Sequence, residues 1–170
     1  MKLLWFHGTL LEKNSNSKER EVSMNDVTCD GLKLENQICF PLYAASREMI
    51  KLYRPYLDAL DLTYTQYIAM MVFWEEKKIN VKELGKKLYL DSGTLTPVLK
   101  SLEAKGYVHR YRSTQDERVL LVEITEVGEA LKEQAKDIPG TVASCVGLSK
   151  EDATLLYQQL YKILDALSSK

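Results

Sequence analysis

The chain has 170 residues, 45% of them apolar and 28% charged, which suits one globular domain with its own core and excludes a largely disordered chain. The net charge of −1 hides an asymmetry: Lys77 to Arg118 holds ten Lys/Arg against five Asp/Glu, a local +5, so the remainder carries −6. A basic block of this kind suits a polyanion partner, although a solvated helix face would look the same from charge alone.

Residues 1–31 read as a poorly ordered N-terminal extension. Leu3 to Phe6 and Leu10-Leu11 are too interrupted by His7 and Gly8 to form a signal-peptide core, and Lys13 to Arg20 is polar. No apolar run reaches membrane-span length, and the chain is expected in the cytoplasm, away from membranes. Cys29, Cys39 and Cys145 are odd in number and widely spaced, with no C-x-x-C and only two His. A structural zinc site and a disulfide framework are therefore disfavoured, and no metal or cofactor is expected.

From Leu34 to Asp58, apolar residues recur at 34, 38, 42, 45, 49, 52 and 56, close to a heptad, so a long helix offers a seam to another helix. Pro41 suggests that its regular part begins or kinks there, and Arg54-Pro55 that it bends or ends. Thr63-Tyr64-Thr65-Gln66 is a capping box opening a helix with Tyr64, Tyr67, Ile68, Met71 and Trp74, closed by Lys77-Lys78. Asn80 to Glu83 repeats the capping pattern, and Val81, Leu84 and Leu88 share one face. Gly85 permits close approach of another helix. Asp91 caps a further helix, Ser92 to Ala104, with Leu95, Val98, Leu99 and Leu102 on one face. Its other face carries Ser92, Thr94, Thr96, Lys100 and Ser101, and Gly106 suits its C-terminal cap. Pro97 removes one helical hydrogen bond and is expected to bend this helix. Tyr107 to Arg112 and Arg118 to Ile124 are β-rich runs joined by the polar turn Ser113 to Glu117, a hairpin. Thr125 caps a helix to about Asp137, Ile138-Pro139-Gly140 interrupts it, and Ser149 caps a last helix with Ala153, Leu156, Tyr157, Leu160, Leu164 and Leu167 in a stripe.

The expected fold is therefore mainly α with a small β-hairpin wing, a winged helix-turn-helix over 63–125 between dimerisation helices at 34–60 and 126–168. Two short helices followed by a hairpin place the second helix in a major groove and the hairpin beside it. The expected partners are double-stranded DNA, a palindromic operator, and a second copy of the chain, since reading a palindrome needs a two-fold. The terminal stripes could instead pack within one monomer. Ser92, Thr94, Thr96 and Lys100 are the candidate base readers. Arg118, steadied by Asp116, is the candidate for the adjacent minor groove. His109, Arg110 and Arg112 are further candidates for phosphate contacts.

This order of elements resembles the MarR family of bacterial regulators. Leu34 to Phe40 with Leu42 to Arg47, Leu90 to Pro97, and Asp116-Glu117-Arg118 are similar to the sensing helix, recognition helix and wing of its organic-hydroperoxide regulators, the OhrR branch. The resemblance runs from about Leu32 to Leu167. It implies that Cys39 reacts with organic hydroperoxide and that Tyr43 and Tyr53 hydrogen-bond its thiolate. It also implies that Cys145, just before the last helix, is a resolving cysteine.

Helix geometry bears on these roles. Tyr43 and Tyr53 fall within about 40° of the Cys39 direction, but Tyr53 is about 21 Å further along the axis and reaches a Cys39 only from another chain. An antiparallel crossing near Ser46, where Ala44, Ala45 and Ser46 are small, would bring this about. Pro41 at a helix start puts Cys39 at an N-terminus, where free N–H groups favour a thiolate. Three readings stay open: a redox-responsive repressor, a MarR-type repressor regulated by a phenolic ligand with Cys39 as an inert small hydrophobe, and a thiol peroxidase. The last needs a recycling dithiol and a thioredoxin-like βαβ pattern, and neither is visible, so the chain is expected not to be an enzyme.

Overall fold

The computed structural model describes residues 30–168. The extension expected over residues 1–31, with Cys29, therefore lies outside the described residues except for its last two. The chain divides into two units, and residues 30–42 belong to the first. They form two single 3-10 turns, Asp30–Leu32 and Leu34–Asn36, and the start of helix α1, Cys39–Ala59. The Gln37 side chain donates to the Gly31 carbonyl. The regular helix thus begins at Cys39, close to Pro41 as expected, and the apolar Leu34 and Ile38 precede it. Pro41 sits third in α1, where its missing N–H would have had no helical acceptor.

The second unit starts at Tyr43 and carries the remaining elements. These are α2 (Tyr64–Glu76), β1 (Lys78–Asn80), α3 (Val81–Leu88), α4 (Ser92–Ala104), β2 (Val108–Arg112), β3 (Leu120–Ile124), α5 (Glu126–Ala135), α6 (Ile138–Val146) and α7 (Lys150–Ser168). Pro55 does not end α1, which continues to Ala59. The stop comes from a Schellman arrangement instead. Asp61 takes φ 51°, and the Leu62 and Asp61 N–H groups return to the carbonyls of Leu57 and Asp58. Leu57 and Leu62, the two residues this motif brings together, are 2% and 4% exposed.

Helix α2 is the centre of this unit. Seven of its 13 residues are buried, with Ala69, Met70 and Phe73 at 0% exposure. The expected stripe of Tyr64, Tyr67, Ile68, Met71 and Trp74 is accordingly too narrow: Met71 is exposed, and Met70 and Phe73 fill the core. A helix surrounded by neighbours has no single apolar face. Thr63 and Gln66 form the expected reciprocal capping box. At the other end the chain turns at Lys77, φ 61°, into a strand that the sequence reading missed.

That strand, β1, makes the expected hairpin a three-stranded antiparallel sheet in the order β1-β3-β2. Ile79 lies opposite Val122, and Val108 opposite Ile124, so the sheet's buried face meets the core. Leu84 from α3 and Leu95, Leu99 and Leu102 from α4 complete the head, and α5 and α6 add Leu131, Ala135, Ile138 and Val142. The expected close approach at Gly85 is present, for a Cβ there would stand 2.7 Å from the Leu90 carbonyl oxygen. The break near Ile138-Pro139-Gly140 falls just ahead of them, and Pro139 occupies the first turn of α6. Among the described residues no helix is long and apolar enough to cross a membrane.

Helix α5 is tied to α2 at Gly128. The Trp74 indole N–H donates to the Gly128 carbonyl at 2.9 Å in a buried position. A Cβ on Gly128 would lie 2.2 Å from the Tyr107 carbonyl oxygen, whereas one on Gly140 would meet nothing. Gly128→Ala is therefore expected to lower stability by about 1–3 kcal/mol through overpacking against backbone. Gly140→Ala should be neutral or stabilising by up to about 1 kcal/mol. Urea unfolding of the two variants side by side checks both.

Candidate nucleic-acid interface and reactive thiol

The reading face is set by how α4 begins. The Asp91 carboxylate accepts the Thr94 N–H at 2.9 Å and the Thr94 hydroxyl at 3.0 Å, and these hydrogen bonds hold its titration below the usual carboxylate range. A Cβ on Gly93 would stand 2.9 Å from the same carboxylate, so a small residue suits that place. Helix α4 runs unbroken through Pro97. Ser92, Thr96 and Lys100 follow at four-residue steps and are exposed. The Thr96 hydroxyl donates to the Ser92 carbonyl at 2.6 Å. With their protons used internally, Thr94 and Thr96 present oxygen lone pairs and methyl groups outward. Those surfaces can accept from a base amino group or contact a thymine methyl. Ser101, expected on this face, is half-buried and turned to the Gln66 amide instead.

The wing is the turn between β2 and β3. The Asp116 side chain accepts the Arg118 N–H at 3.0 Å, and its carboxylate lies 3.9 Å from the Arg118 guanidinium. The Arg118 side chain is 96% exposed and projects from a turn whose own backbone is tied, Val119 N–H to Asp116 carbonyl and Ser113 N–H to Val119 carbonyl. Arg112 donates to the carbonyls of Glu117 and Arg118 at 3.2 and 3.3 Å, bracing this turn from the opposite strand. Arg110 is engaged elsewhere. Its Nε and Nη2 reach Glu103 at 2.9 and 2.6 Å, and its backbone N–H reaches the other carboxylate oxygen at 2.9 Å. This pair clips β2 to α4, and the Arg110 hydrogen bonds hold Glu103 below the usual carboxylate range. Of the three phosphate candidates on β2, Arg110 is held by a carboxylate, whereas Arg112 bonds backbone carbonyls of the wing turn. His109 stacks on Tyr111 at 5.5 Å, and the Lys78 ammonium lies over the Tyr111 ring at 5.1 Å.

The thiols are placed as follows. Cys39 is the first residue of α1 and is exposed. Tyr43 is 58% exposed, and its hydroxyl accepts from Arg47 at 3.1 Å. Tyr53 is half-buried, meets the Tyr64 ring edge-on at 5.2 Å and lies tilted against Tyr67 at 5.8 Å. Burial, with Tyr53 next, raises the Tyr64 and Tyr67 hydroxyls, Tyr67 to about 12, so both phenols stay protonated donors. Tyr64 was missed as a neighbour of Tyr53, because only the packing of α1 on α2 brings them together. Cys145 is exposed and lies in the last turn of α6, not in the connecting turn, which begins at Gly147 with φ 70°.

Known proteins share this architecture. A family profile described as transcriptional regulator SarA/Rot matches residues 51–135. The organic hydroperoxide resistance transcriptional regulator of Bacillus subtilis strain 168 is 52% identical over 141 residues, 83% of this chain and 96% of that one. Among solved structures, reduced AbfR bound to DNA, a Staphylococcus epidermidis protein, is 34% identical with a TM-score of 0.67, over 79% of this chain and 94% of that one. Disulfide-formed AbfR is 33% identical with a TM-score of 0.55, over 81% and 93%. With a capped recognition helix, a three-stranded sheet that carries the wing and an identity of 52% to a hydroperoxide-resistance regulator, the chain belongs to the MarR family of winged-helix transcriptional regulators, in its organic-hydroperoxide branch.

Proposed function

We propose that this protein is a dimeric operator-binding repressor that organic hydroperoxides switch off by oxidising Cys39. The observation that carries the reading is the place of that thiol: exposed, on the first residue of α1, in a member of a hydroperoxide-regulator branch. N–H groups in the first turn of a helix lack acceptors and favour an anion, and the thiolate is the nucleophile. The Cys39 sulfur attacks one peroxide oxygen, the O–O bond breaks, and the alcohol leaves with a proton, giving a sulfenic acid. Tyr43 and Tyr53 serve as hydroxyl donors to the thiolate, Tyr53 from the second subunit. The Cys145 thiol then condenses with the sulfenic acid, a disulfide forms and water leaves. The disulfide form of the relative AbfR supports this route. The chain is a regulator, not a peroxidase, and works in the cytoplasm, where its operator lies.

The dimer is supported by what one chain leaves uncovered. Helix α7 buries none of its 19 residues, and Leu155, Leu156, Tyr157, Tyr161 and Leu167 on it are exposed. Helix α1 leaves Met49, Ile50, Leu52 and Tyr56 open as well. Apolar surface on this scale marks an interface, and a two-fold axis sets two α4 helices on successive half-sites. In that dimer Ser92, Thr94, Thr96 and Lys100 enter the major groove and Arg118 the minor groove. Arg112 and Asp116 hold the wing turn in shape, and Arg110 fixes β2 behind it.

Arg118→Ala is expected to cost about 1–3 kcal/mol in operator affinity and to leave stability unchanged, since its side chain is 96% exposed. Gel shifts across a salt series, beside a thermal melt, check this, and unchanged affinity would remove the wing from the interface. Cys39→Ser should bind the operator as the reduced wild type does and stay bound after cumene hydroperoxide. Release of this variant at the wild-type dose would defeat the sensor assignment. On non-reducing gels, peroxide-treated wild type should run as a covalent dimer and Cys145→Ser should not. A wild-type monomer band carrying an overoxidised or small-thiol-capped Cys39 would remove the resolving role.

A further inference from the structure

One buried polar cluster takes part in neither the reading face nor the thiol chemistry. Gln66 is 6% exposed and lies within the core. Its Oε1 accepts the Thr63 N–H at 3.0 Å, and its Nε2 donates to the Ser101 hydroxyl at 2.9 Å. The Lys105 ammonium stands 3.5 Å from the same Oε1, donates to the Asp61 carbonyl and lies 3.0 Å from the Asp61 carboxylate. Asp61 is the left-handed residue that ends α1, Thr63 caps α2, and Ser101 and Lys105 belong to the far half of α4 and its cap. The Gln66 amide therefore joins the start of α2 to the last turn of α4, and the Lys105 ammonium extends the joint to the end of α1.

The apolar contacts of α4, through Leu95, Leu99 and Leu102, are non-directional and tolerate a small rotation of the helix in its seat. Hydrogen bonds to a buried amide do not, because leaving that amide unpaired costs its desolvation. We propose that Gln66, Ser101 and Lys105 are positioning residues that set the angle of the recognition helix α4 against the end of α1, and with it the half-site spacing the dimer accepts. The proposal rests on the DNA-reading function above. Lys105, one of the ten basic residues of the Lys77 to Arg118 block, and Ser101, from the polar face of α4, take their roles from this joint. The Lys105 side chain is only 22% exposed.

The test uses the reduced full-length protein. An operator is selected from random duplex DNA with the wild type, and affinities are measured by anisotropy for it and for a version with one base pair inserted between the half-sites. The wild type should prefer its own spacing by about tenfold or more. Ser101→Ala and Gln66→Met should reduce that preference to about threefold or less, with binding to non-specific duplex unchanged, because phosphate contacts do not depend on the angle of α4. Thermal melts identify variants that remain folded. Ser101→Ala, which removes one hydroxyl from a helix, decides the matter if Gln66→Met does not fold. Folded variants that keep the wild-type preference would reduce the cluster to core packing and overturn the proposal. A wild type that selects no sequence would overturn the DNA-reading function, and this role with it.

Discussion

The structure depends on the burial of α2. A helix with Met70 and Phe73 fully enclosed must be covered on nearly every side, and the neighbours that cover it are those that build the reader. The core that encloses it also takes in Leu84 of α3, three leucines of α4, Ile79 and Val122 of the sheet, and Leu131 of α5. Such a core is held by area and shape, so direction has to come from a few polar ties. The Trp74 indole on the Gly128 carbonyl locates α5, and the Gln66 amide locates α4. Each is a hydrogen bond whose loss strands a buried polar group, so each resists sliding more than its modest net energy suggests.

Helix ends govern where the reading surface points. Helices α1, α3 and α4 all stop at a left-handed residue, Asp61, Tyr89 and Gly106, and only one of these is glycine. Aspartate tolerates that region through its short polar side chain. Tyrosine does not tolerate it well, so Tyr89 at φ 54° is held by the tight turn around it, where the Leu90 N–H returns to the Gly85 carbonyl. The turn delivers Asp91 to the first turn of α4, and the Asp91 cap then orders Thr94. The order of events is local: a turn places a cap, and the cap places a hydroxyl on the exposed face of α4.

The wing and the thiol differ in how much the single chain completes. The wing is finished within one chain, since Asp116, Ser113 and Arg112 tie the turn without help and leave the Arg118 side chain 96% exposed. The apolar faces of α1 and α7 are unfinished in the same sense that an exposed core is unfinished. A second copy supplies the missing partner surface.

By itself the sequence determined the elements whose signals are local. Thr63 with Gln66, Asn80, Asp91, Thr125 and Ser149 all cap helices through side chains that reach the N–H three residues on, because that interaction needs nothing beyond three neighbours. The recognition helix, its exposed Ser92, Thr96 and Lys100, the hairpin and the family were legible on the same ground, from periodicity and short strings. Tertiary structure alone decided the rest. Strand β1 has three residues and becomes a strand only because β3 offers it a ladder. Pro55 reads as a stop but lies inside α1, because the face carrying Leu57 is worth burying and the true stop is the Leu57–Leu62 closure. Arg110 and Lys105 look like free cations in the sequence. Glu103 and Asp61, seven and 44 residues away in the chain, claim them in the fold. Charge and periodicity are properties of residues, whereas the partner a charge finds is a property of the packed chain.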